Sequence, residues 1–363
     1  MTREHPTFLL AGGGTAGHVN PLLAVADGLR ARDAAAEILV LGTAEGLEAR
    51  LVPARGYELL IVDKVPFPRR PDLAAARFPA AWGRAVAQVR AHLRAHGVDV
   101  VVGFGGYASA PAYVAARREG IPYVVHEANA RPGLANILGA RRAAAVGTTF
   151  PGTPLRGSQV VGMPLRPELF ALDRAATRAE AAAYFGLDPD RPVLLVFGGS
   201  LGARRLNEAF GEAWSSVTGA GWQLLHAIGE RAELVDPGAD GYRVVPYLDR
   251  MDLALALADL VVSRAGAATV SELTALGIPA VYVPYAVGNG EQALNAASAV
   301  RAGAARLIPD AEFTPERVRT EIVPLLGDAD EVESLRAAAE ASAAGARSGT
   351  ENVIAQIDRA LAG

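Results

Sequence analysis

The sequence predicts an α/β protein made of two Rossmann-like domains, each with a doubly wound parallel sheet. Short apolar runs alternate with stretches of helical spacing along the 363 residues, and the alternation restarts after a Pro/Gly-rich passage at residues 150–167. Each half also begins with a strand, a glycine-rich loop and a helix, in that order. Ligands of such sheets bind outside the carboxyl ends of the strands, so two domains facing each other would share one ligand in the cleft between them.

The N-terminal residues carry the clearest strand–loop–helix pattern. Residues 7–11 are an apolar run typical of a buried strand, residues 12–17 include four glycines, and helical spacing is predicted from Pro21 to Arg32. Free N–H groups at a helix N-terminus favour an anion, whereas a tight corner with no ligand is the structural alternative. The glycine spacing matches neither a dinucleotide-binding loop nor a Walker loop. Thr15 and His18 are the two side chains here that could do chemistry.

The remaining elements follow from the same periodicity. In the first half, strands are predicted at Ile38–Leu41, Leu59–Val62, Val98–Val102, Tyr123–His126 and Ala143–Gly147, and helices at Leu47–Ala54, Leu73–Ala95 and Ala108–Arg118. In the second half, strands are predicted at Val193–Phe197, Gln223–Ala227, Arg243–Val245, Leu260–Val262 and Ala280–Val283. The Ala-rich end, from Glu331 to Ala362, is predicted as two helices. We place the first domain at residues 1–162 with the C-terminal helix 347–363, and the second at 163–346.

Polar side chains gather in the loops that follow the predicted strands. Ser200, in the second glycine loop, suits a diphosphate, with a helix N-cap as the alternative. Glu272 lies roughly two turns into its segment and suits the two hydroxyls of a sugar diol. A surface helix carboxylate is the alternative for Glu272 and, without further context, the favoured one. The loop after residue 283 carries amides and carboxylates suited to sugar hydroxyls, namely Asn289, Glu291, Gln292 and Asn295.

Composition and charge argue against several classes of protein. The absence of cysteine excludes disulfides and thiolate catalysis and agrees with a cytosolic location. No apolar run reaches the length of a membrane span, and the N-terminus does not resemble a signal peptide. The net charge of −4 gives no support to nucleic-acid binding. His92 and His96 have the spacing of a helical metal site, but they lie among arginines, so we expect no metal and no cofactor.

Seven motifs then follow in order along nearly the whole chain. They are Gly12-Gly-Gly-Thr-Ala-Gly-His18, Gly105-Gly-Tyr107, His126-Glu-Ala-Asn129, Gly162-Met-Pro-Leu-Arg166, Gly198-Gly-Ser-Leu-Gly-Ala-Arg-Arg-Leu-Asn207, Arg264-Ala-Gly-Ala-Ala-Thr-Val-Ser-Glu272 and Gly290-Glu-Gln-Ala-Leu-Asn295. Together they closely resemble the MurG family, the bacterial peptidoglycan N-acetylglucosaminyltransferases. The resemblance implies a GT-B fold whose last helix returns to the first domain. It also implies transfer of GlcNAc from UDP-GlcNAc to the C4 hydroxyl of MurNAc in undecaprenyl-diphospho-MurNAc-pentapeptide (lipid I). Inversion at the anomeric centre would give lipid II for peptidoglycan synthesis, cell shape and cell division.

The resemblance also implies site residues. Donor-binding residues carried over by motif are Thr15, Ala16, Gly17, Asn129, Arg166, Ser200, Leu248, Arg264, Ala267, Ala268, Thr269, Val270, Ser271, Glu272 and Gln292. Leu248 would meet the uracil through its backbone, Glu272 the ribose hydroxyls and Gln292 the GlcNAc hydroxyls. Acceptor and cleft residues are Tyr107, Asn136, Asn207, Glu291 and Asn295.

Direct displacement with inversion needs a base near the acceptor hydroxyl and positive potential around the leaving UDP. His18 is the first candidate for the base, and a structural residue bonding the glycine loop is the alternative. Glu127 is the second candidate. Arg166 or Arg264, with helix N-termini, would supply the positive potential. We expect the second glycine loop to hold the donor diphosphate and the first to form the acceptor-side wall.

Three alanines depart from the family's pattern. Ala16 stands where the family usually has glycine, Ala128 where it has glutamine and Ala265 where it has serine. Ala16 adds a methyl group to a loop in which unusual backbone angles would disfavour it, and the other two each remove a polar group. We expect effects on affinity rather than on the type of reaction.

Aromatic and basic residues between positions 65 and 84 suggest membrane contact. They are Phe67, Leu73, Phe78 and Trp82 with Arg69, Arg70, Arg77 and Arg84. Aromatic rings bordered by arginines suit the headgroups of an anionic bilayer, whereas an aromatic face packed inward is the alternative. The expected partners are therefore UDP-GlcNAc, the undecaprenyl-linked acceptor, the cytoplasmic face of the cell membrane as a peripheral surface, and a cell-wall synthesis complex. Nucleic acid is not expected.

Two other functions stay open at this point. One is a GT-B transferase with a different acceptor, and the other is a nucleotide-sugar-binding protein without catalysis. Intact His18, Asn129, Glu272 and Gln292 count against the second.

Overall fold

The computed structural model describes residues 5–68, 70, 73–199, 202–285, 290–343 and 348–363. It divides the chain into two compact units. Unit 1 is Met1–Arg166 with Ser348–Gly363, and unit 2 is Pro167–Arg347. Unit 1 continues beyond residue 162 because Met163 and Leu165 lie against the start of the C-terminal helix, where the Thr350 hydroxyl donates to the Leu165 carbonyl (3.4 Å). Arg166 therefore belongs to the first unit and not to the second domain.

Unit 1 contains a seven-stranded parallel sheet. Its strands are β1 (Thr7–Ala11), β2 (Glu37–Gly42), β3 (Glu58–Ile61), β4 (Val100–Gly103), β5 (Tyr123–Glu127), β6 (Ala145–Thr148) and β7 (Ser158–Val160). Its helices between strands are α1 (Ala16–Arg32), α2 (Glu48–Ala54), α3 (Leu73–His96), α4 (Ser109–Glu119) and α5 (Leu134–Ala140). The spatial order β3-β2-β1-β4-β5-β6-β7 is doubly wound about β1, so the loops after β1 and β4 meet at the switch point.

Unit 2 repeats this architecture with six parallel strands. Its helices before the sheet are α6 (Pro167–Phe170) and α7 (Arg174–Phe185). Its strands are β8 (Val193–Phe197), β9 (Gln223–Ala227), β10 (Tyr242–Val245), β11 (Leu260–Ser263), β12 (Ala280–Tyr282) and β13 (Ala305–Leu307), in the spatial order β10-β9-β8-β11-β12-β13. The other helices are α8 (Arg204–Gly219), α9 (Met251–Leu257), α10 (Ala267–Ala275), α11 (Glu291–Arg301), α12 (Pro315–Arg317), α13 (Val323–Gly327) and α14 (Ala329–Ala343), with a 3₁₀ turn at Asp310–Glu312 and a π-helical turn at Val318–Ile322.

The strands are buried on both faces, which explains their continuous apolar sequences. Every residue of β1 is buried, and successive side chains point to opposite faces. Leu9 joins one buried cluster with Leu39 and Val101, whereas Leu10 joins another with Val40. A helix layer therefore covers each face of the sheet, and the polar chemistry is left to the strand ends.

The C-terminal helix, α15 (Gly349–Ala362), returns to unit 1 as predicted. Val353 and Ile357 are fully buried in the same cluster as Phe8. Gly28 on α1 permits this packing, because a Cβ there would lie 2.9 Å from Ile354 Cδ1. The helix thus completes the core of unit 1, although the chain passes into unit 2 after residue 166 and returns only at residue 348.

The predicted fold class is confirmed, and the differences are local. Strands β7 and β13 were not predicted, because each is a three-residue edge strand that contains a polar residue, Gln159 or Arg306, and has no apolar run. Helix α1 begins at Ala16 rather than at Pro21, since Val19 is the one buried residue among positions 16–20 and the other four carry no apolar spacing. No helix within the described part of the chain is both long enough and apolar enough to cross a bilayer.

Candidate functional site

Two sets of strand-end loops bring the predicted residues together, one set in each unit. In unit 1 the loops follow β1, β4 and β5, which are neighbours in the sheet. Parallel neighbours end at the same edge, so these loops form one surface. A Cβ placed on Gly105, after β4, would lie 3.1 Å from His18 Nε2, and one on Gly106 would lie 2.4 Å from the Gly13 carbonyl oxygen.

The first glycine loop is ordered by a carboxylate that was not predicted from the sequence. Glu48 is fully buried, and its Oε2 accepts the Gly14 N–H (2.8 Å). Its Oε1 accepts the N–H (3.0 Å) and the hydroxyl (2.8 Å) of Thr43. Burial alone would raise the pKa of Glu48, but these hydrogen bonds outweigh it and lower the pKa below its usual value. The loop N–H of Gly14 is thus used by the protein's own anion.

The close approach of Glu48 explains three glycines. A Cβ on Gly13, Gly42 or Gly46 would lie between 2.0 and 2.5 Å from the nearest Glu48 side-chain atom. Gly14 is required for a different reason, because its φ of +89° lies in the left-handed region. These glycines, in the loop after β1, at the end of β2 and in the loop before α2, are the sequence signal from which the buried carboxylate could have been inferred.

His18 lies in the first turn of α1, half-buried, with its Nε2 side toward Gly105. Its Nδ1 is 3.1 Å from the Gly13 carbonyl and 3.2 Å from the Thr15 hydroxyl. Since a carbonyl only accepts, Nδ1 carries the proton and Nε2 has the lone pair. Burial lowers the pKa of His18 below 6.5, and the charges of Glu127 and Glu48 and the bond to Gly13 partly oppose this. The ring is therefore neutral and basic at Nε2.

Glu127, the second base candidate, is occupied by its own loop. It is 2% exposed. Its Oε1 accepts the Asn129 N–H (2.9 Å), and its Oε2 accepts the Gly133 N–H (3.0 Å) and the Asn136 amide (2.9 Å). These bonds hold the 129–133 loop and the start of α5 in place. The arrangement favours a positioning role for Glu127 over a role as base.

Three asparagines of the predicted acceptor and cleft set have internal partners. Asn136 donates to the His126 carbonyl (3.0 Å) and accepts from the Tyr113 hydroxyl (2.7 Å). Asn207 donates to the Ile228 carbonyl (2.8 Å), and Asn295 to the Ala265 carbonyl (3.2 Å). Their amides tie strand-end loops to helices, a structural role that the sequence did not predict. Tyr107 differs from them, since it is 40% exposed beside Lys64, whose Nζ lies 5.3 Å from the ring centroid.

The three departures from the family's pattern have little structural effect. Ala16 lies in α1, and no non-glycine residue of the described chain has a positive φ, so its methyl group is not strained. Ala128 and Ala265 are 2% and 0% exposed. Their methyl groups therefore lie inside their units rather than on the surface.

In unit 2 the loops after β8, β11 and β12 surround a cavity of about 640 Å³. Its lining residues are Gly198, Gly199, Gly202, Ala203, Arg204, Arg205, Arg264, Tyr285, Gln292 and Asp310. Gly202 has a φ of +72°, and a Cβ there would lie 1.9 Å from the Ile228 carbonyl oxygen, so only glycine permits this turn. The cavity brings together the second glycine loop, Arg264 and Gln292, which the sequence placed in the donor site.

The charged side chains of this cavity meet at Asp310, which was not predicted from the sequence. Its carboxylate accepts from Arg264 Nη1 (2.5 Å) and lies 3.3 Å from Arg205 Nε. Arg264 also donates to the Val283 carbonyl (2.9 Å), and its side chain is 11% exposed. Two guanidinium groups share one carboxylate, so the cavity wall keeps a net positive charge and suits an anion such as a diphosphate.

The other predicted donor residues are divided between the two units. Gln292, in the first turn of α11, accepts the Tyr285 N–H through Oε1 (2.9 Å). Leu248, in the loop after β10, has a buried side chain. In and around α10, the buried members are Ala265, Ala267, Val270 and Ser271, and the half-buried ones are Arg264, Ala268, Thr269 and Glu272. In unit 1, Thr15 and Ala16 are exposed, and Gly17 and Asn129 are half-buried. Ser200 and Asn289 lie outside the described residues.

The aromatic segment packs partly inward. The rings of Phe67, Phe78 and Trp82 lie 5.5 to 5.7 Å apart, and the last two also rest on the unit 1 core. Arg70, Arg77 and Arg84 are exposed. Arg69 and the side chain of Leu73 lie outside the described residues. Membrane contact by the aromatic and basic residues between positions 65 and 84 stays a prediction. Within the described residues, no group of three or more His, Asp or Glu side chains could hold a metal ion.

Comparisons with known proteins agree with this architecture. Residues 8–148 match the glycosyltransferase family 28 N-terminal domain, and residues 193–354 match the family 28 C-terminal domain. The chain is 59% identical over 354 residues, 98% of each chain, to the UDP-N-acetylglucosamine--N-acetylmuramyl-(pentapeptide) pyrophosphoryl-undecaprenol N-acetylglucosamine transferase of Leifsonia xyli. It is 64% identical over 322 residues, 88% of each chain, to the enzyme of the same name from Clavibacter michiganensis. The crystal structure of Acinetobacter baumannii MurG is similar with a TM-score of 0.78 and 28% identity, covering 98% of this chain and 99% of the other.

Proposed function

Because this chain belongs to glycosyltransferase family 28, among its MurG enzymes, we propose that it transfers GlcNAc from UDP-GlcNAc to lipid I. The acceptor atom is the C4 hydroxyl of MurNAc in undecaprenyl-diphospho-MurNAc-pentapeptide, and the product is lipid II. The observation that carries this proposal is the identity of 50% to 64% to relatives that bear this enzyme name, over 88% or more of the chain.

We assign the binding of the donor, UDP-GlcNAc, to unit 2. The β8 loop and the positively charged wall formed by Arg264 and Arg205 would take the diphosphate of UDP-GlcNAc, since backbone N–H groups and guanidinium groups both stabilise phosphate oxygens. Gln292 borders the same cavity and is assigned to the GlcNAc hydroxyls. Glu272, half-buried on α10, is assigned to the ribose diol.

We assign the catalytic base to unit 1. His18 Nε2 would take the proton of the C4 hydroxyl as the oxygen attacks the anomeric carbon. The bond from that carbon to the β-phosphate oxygen breaks, UDP leaves with the electron pair, and the anomeric centre inverts. The guanidinium groups of the donor cavity stabilise the charge that develops on the leaving phosphate. No step needs an oxidant or a second co-substrate.

The lipid-linked acceptor requires contact with a membrane surface. We assign this contact to the exposed arginines of α3 and its preceding loop, with anionic headgroups as the partner and the cytoplasmic face of the cell membrane as the location. Participation in a cell-wall synthesis complex is part of the same proposal.

The test is a transfer assay with UDP-[¹⁴C]GlcNAc and a short-chain lipid I analogue. We expect label in the lipid product, and His18→Gln should lower kcat with little change in KM for UDP-GlcNAc. UDP binding without transfer to this acceptor would overturn the proposal. Transfer to a different acceptor would support another GT-B transferase.

A further inference from the structure

One peptide group links a buried carboxylate to the base candidate. The peptide between Gly13 and Gly14 donates its N–H to Glu48 Oε2 (2.8 Å) and accepts from His18 Nδ1 at its carbonyl (3.1 Å). The three groups are thus connected in series, from carboxylate through peptide to imidazole. Nothing in the sequence places them together, because Glu48 is on α2 and His18 on α1.

We propose that Glu48 is a positioning residue for the transfer reaction, which acts on His18 through the Gly13–Gly14 peptide group. The proposal rests on the assignment of His18 as the base. A carboxylate that accepts the peptide N–H polarises the group and makes its carbonyl a stronger acceptor. The carbonyl then holds the proton on Nδ1, which leaves the Nε2 lone pair toward Gly105 and the acceptor side.

The surroundings of Glu48 argue against simple packing. A buried charge is costly unless it is hydrogen-bonded, and this one has partners on both oxygens. Room for the Glu48 side chain depends on glycine at three positions: a Cβ on Gly13 or Gly46 would collide with the carboxylate, and one on Gly42 would lie 2.5 Å from Glu48 Cγ. A turn closed without this side chain would need neither the buried charge nor the three glycines.

The charge also acts during the reaction. When Nε2 takes the proton, the imidazolium has Glu48 on its Nδ1 side through the peptide and Glu127 from β5. Both negative charges favour the protonated ring and oppose the effect of burial. Of the charged groups in the described part of the chain, these two carboxylates act on the pKa of His18, and Glu127 is already hydrogen-bonded within its own loop.

Glu48→Gln is the test, because it keeps the shape and removes the charge. We expect kcat to fall about 10-fold or more, a part of the roughly 10²–10⁴-fold that a general base contributes. KM for UDP-GlcNAc should stay within about twofold, since the donor cavity lies in unit 2. The acid limb of the kcat profile should move to lower pH, because the neutral amide no longer favours the imidazolium. Glu45→Gln, exposed and three residues away, is the matched control and should leave all these values unchanged.

The tautomer of His18 is a readout that does not depend on activity. ¹⁵N NMR of histidine-labelled protein at alkaline pH, with the His18 signal assigned by His18→Gln, should show the Nδ1–H form. Glu48→Gln should raise the population of the Nε2–H form. Thr43→Val, which removes one donor to Glu48 but leaves the Gly14 contact, should keep the Nδ1–H form.

The outcomes separate the proposals. An Nε2–H ring in the wild-type protein would overturn the positioning role without any variant. An unchanged tautomer and kcat in Glu48→Gln, or an equal tautomer change in Thr43→Val, would overturn it as well. Full activity of His18→Gln would show that His18 is not the base. The tautomer measurement would then still test whether Glu48 controls the proton on His18 Nδ1.

Discussion

Gly106→Ala perturbs the same peptide from its other side, and its cost can be worked from the geometry. Gly106 has a φ of +80°, and its Cβ would lie 2.4 Å from the Gly13 carbonyl oxygen. The left-handed conformation costs a non-glycine residue about 1–2 kcal/mol. The collision is with backbone, which no rotamer change can relieve, and it adds about 1–3 kcal/mol of overpacking.

Gly152→Ala is the matched control. Gly152 has a φ of +75° in the same unit, with nothing within 4 Å of its Cβ position. It therefore has the conformational cost without the collision. We expect Gly106→Ala to be about 1–3 kcal/mol less stable than Gly152→Ala, from the collision term alone. Because the carbonyl that the methyl group displaces is the one bonded to His18 Nδ1, Gly106→Ala should also lose kcat, whereas Gly152→Ala should not.

Hydrogen exchange of peptides that cover β1 and β4 measures the opening free energy of unit 1 by itself. Hydrogen exchange is chosen because one unfolding transition of a chain with two units does not give the stability of unit 1 alone. Equal protection of β1 in the two variants would refute the close packing of the Gly105–Gly106 turn on the glycine loop.

Three further expectations follow from the charges and the buried histidines. Arg264→Ala should weaken UDP binding about 10–100-fold by calorimetry, from charge-assisted hydrogen bonds worth about 1.5–3 kcal/mol, whereas Arg301→Ala, exposed at the end of α11, should not. Burial lowers the pKa of His226 to about 3, so the unfolded chain binds the extra proton below pH 6.5 and unit 2 should lose stability as the pH falls from 6.5 toward 3. The opening free energy of unit 2, measured by hydrogen exchange of peptides that cover β9, should change less over that range in His226→Gln, and an identical pH dependence would count against a neutral buried ring. Reversing Arg77 and Arg84 to Glu should lower sedimentation with anionic vesicles about 10-fold or more, with neutral vesicles as the control; unchanged sedimentation would remove α3 from the membrane contact.

Local sequence patterns were sufficient for the architecture. Buried parallel strands appear as continuous apolar runs, so β1, β8 and β9 could be placed at their observed bounds. Short edge strands such as β7 lack that signal, because solvent covers part of their surface and no apolar run is needed. The repeated strand, glycine loop and helix indicated two domains.

The site was less accessible from sequence, because its side chains interact across elements distant in the chain. His18 could be named from its loop, but the carboxylate that acts on it comes from α2, after a complete strand–helix–strand unit. Glycines gave only an indirect signal, since a glycine that makes room for a neighbouring side chain looks the same as one that approaches a phosphate. Asn136 and Asn207 carry side-chain amides of the kind that bind ligands, yet their hydrogen-bond partners are backbone carbonyls and buried side chains.

The aromatic segment shows the same limit. Phe78 and Trp82 have the spacing of a membrane-facing stripe, but that spacing also places them on the side of α3 that packs on the core. Their partial burial explains why the exposed arginines are the better positions for testing membrane contact.

The product formed from UDP-GlcNAc and a lipid I analogue decides whether this chain transfers GlcNAc with inversion. We expect stoichiometric release of UDP and a new β linkage from GlcNAc to the C4 oxygen of MurNAc, seen by NMR as inversion of the α-linked donor. An α linkage would contradict direct displacement with His18 as base. UDP release without a disaccharide product would contradict the transfer itself.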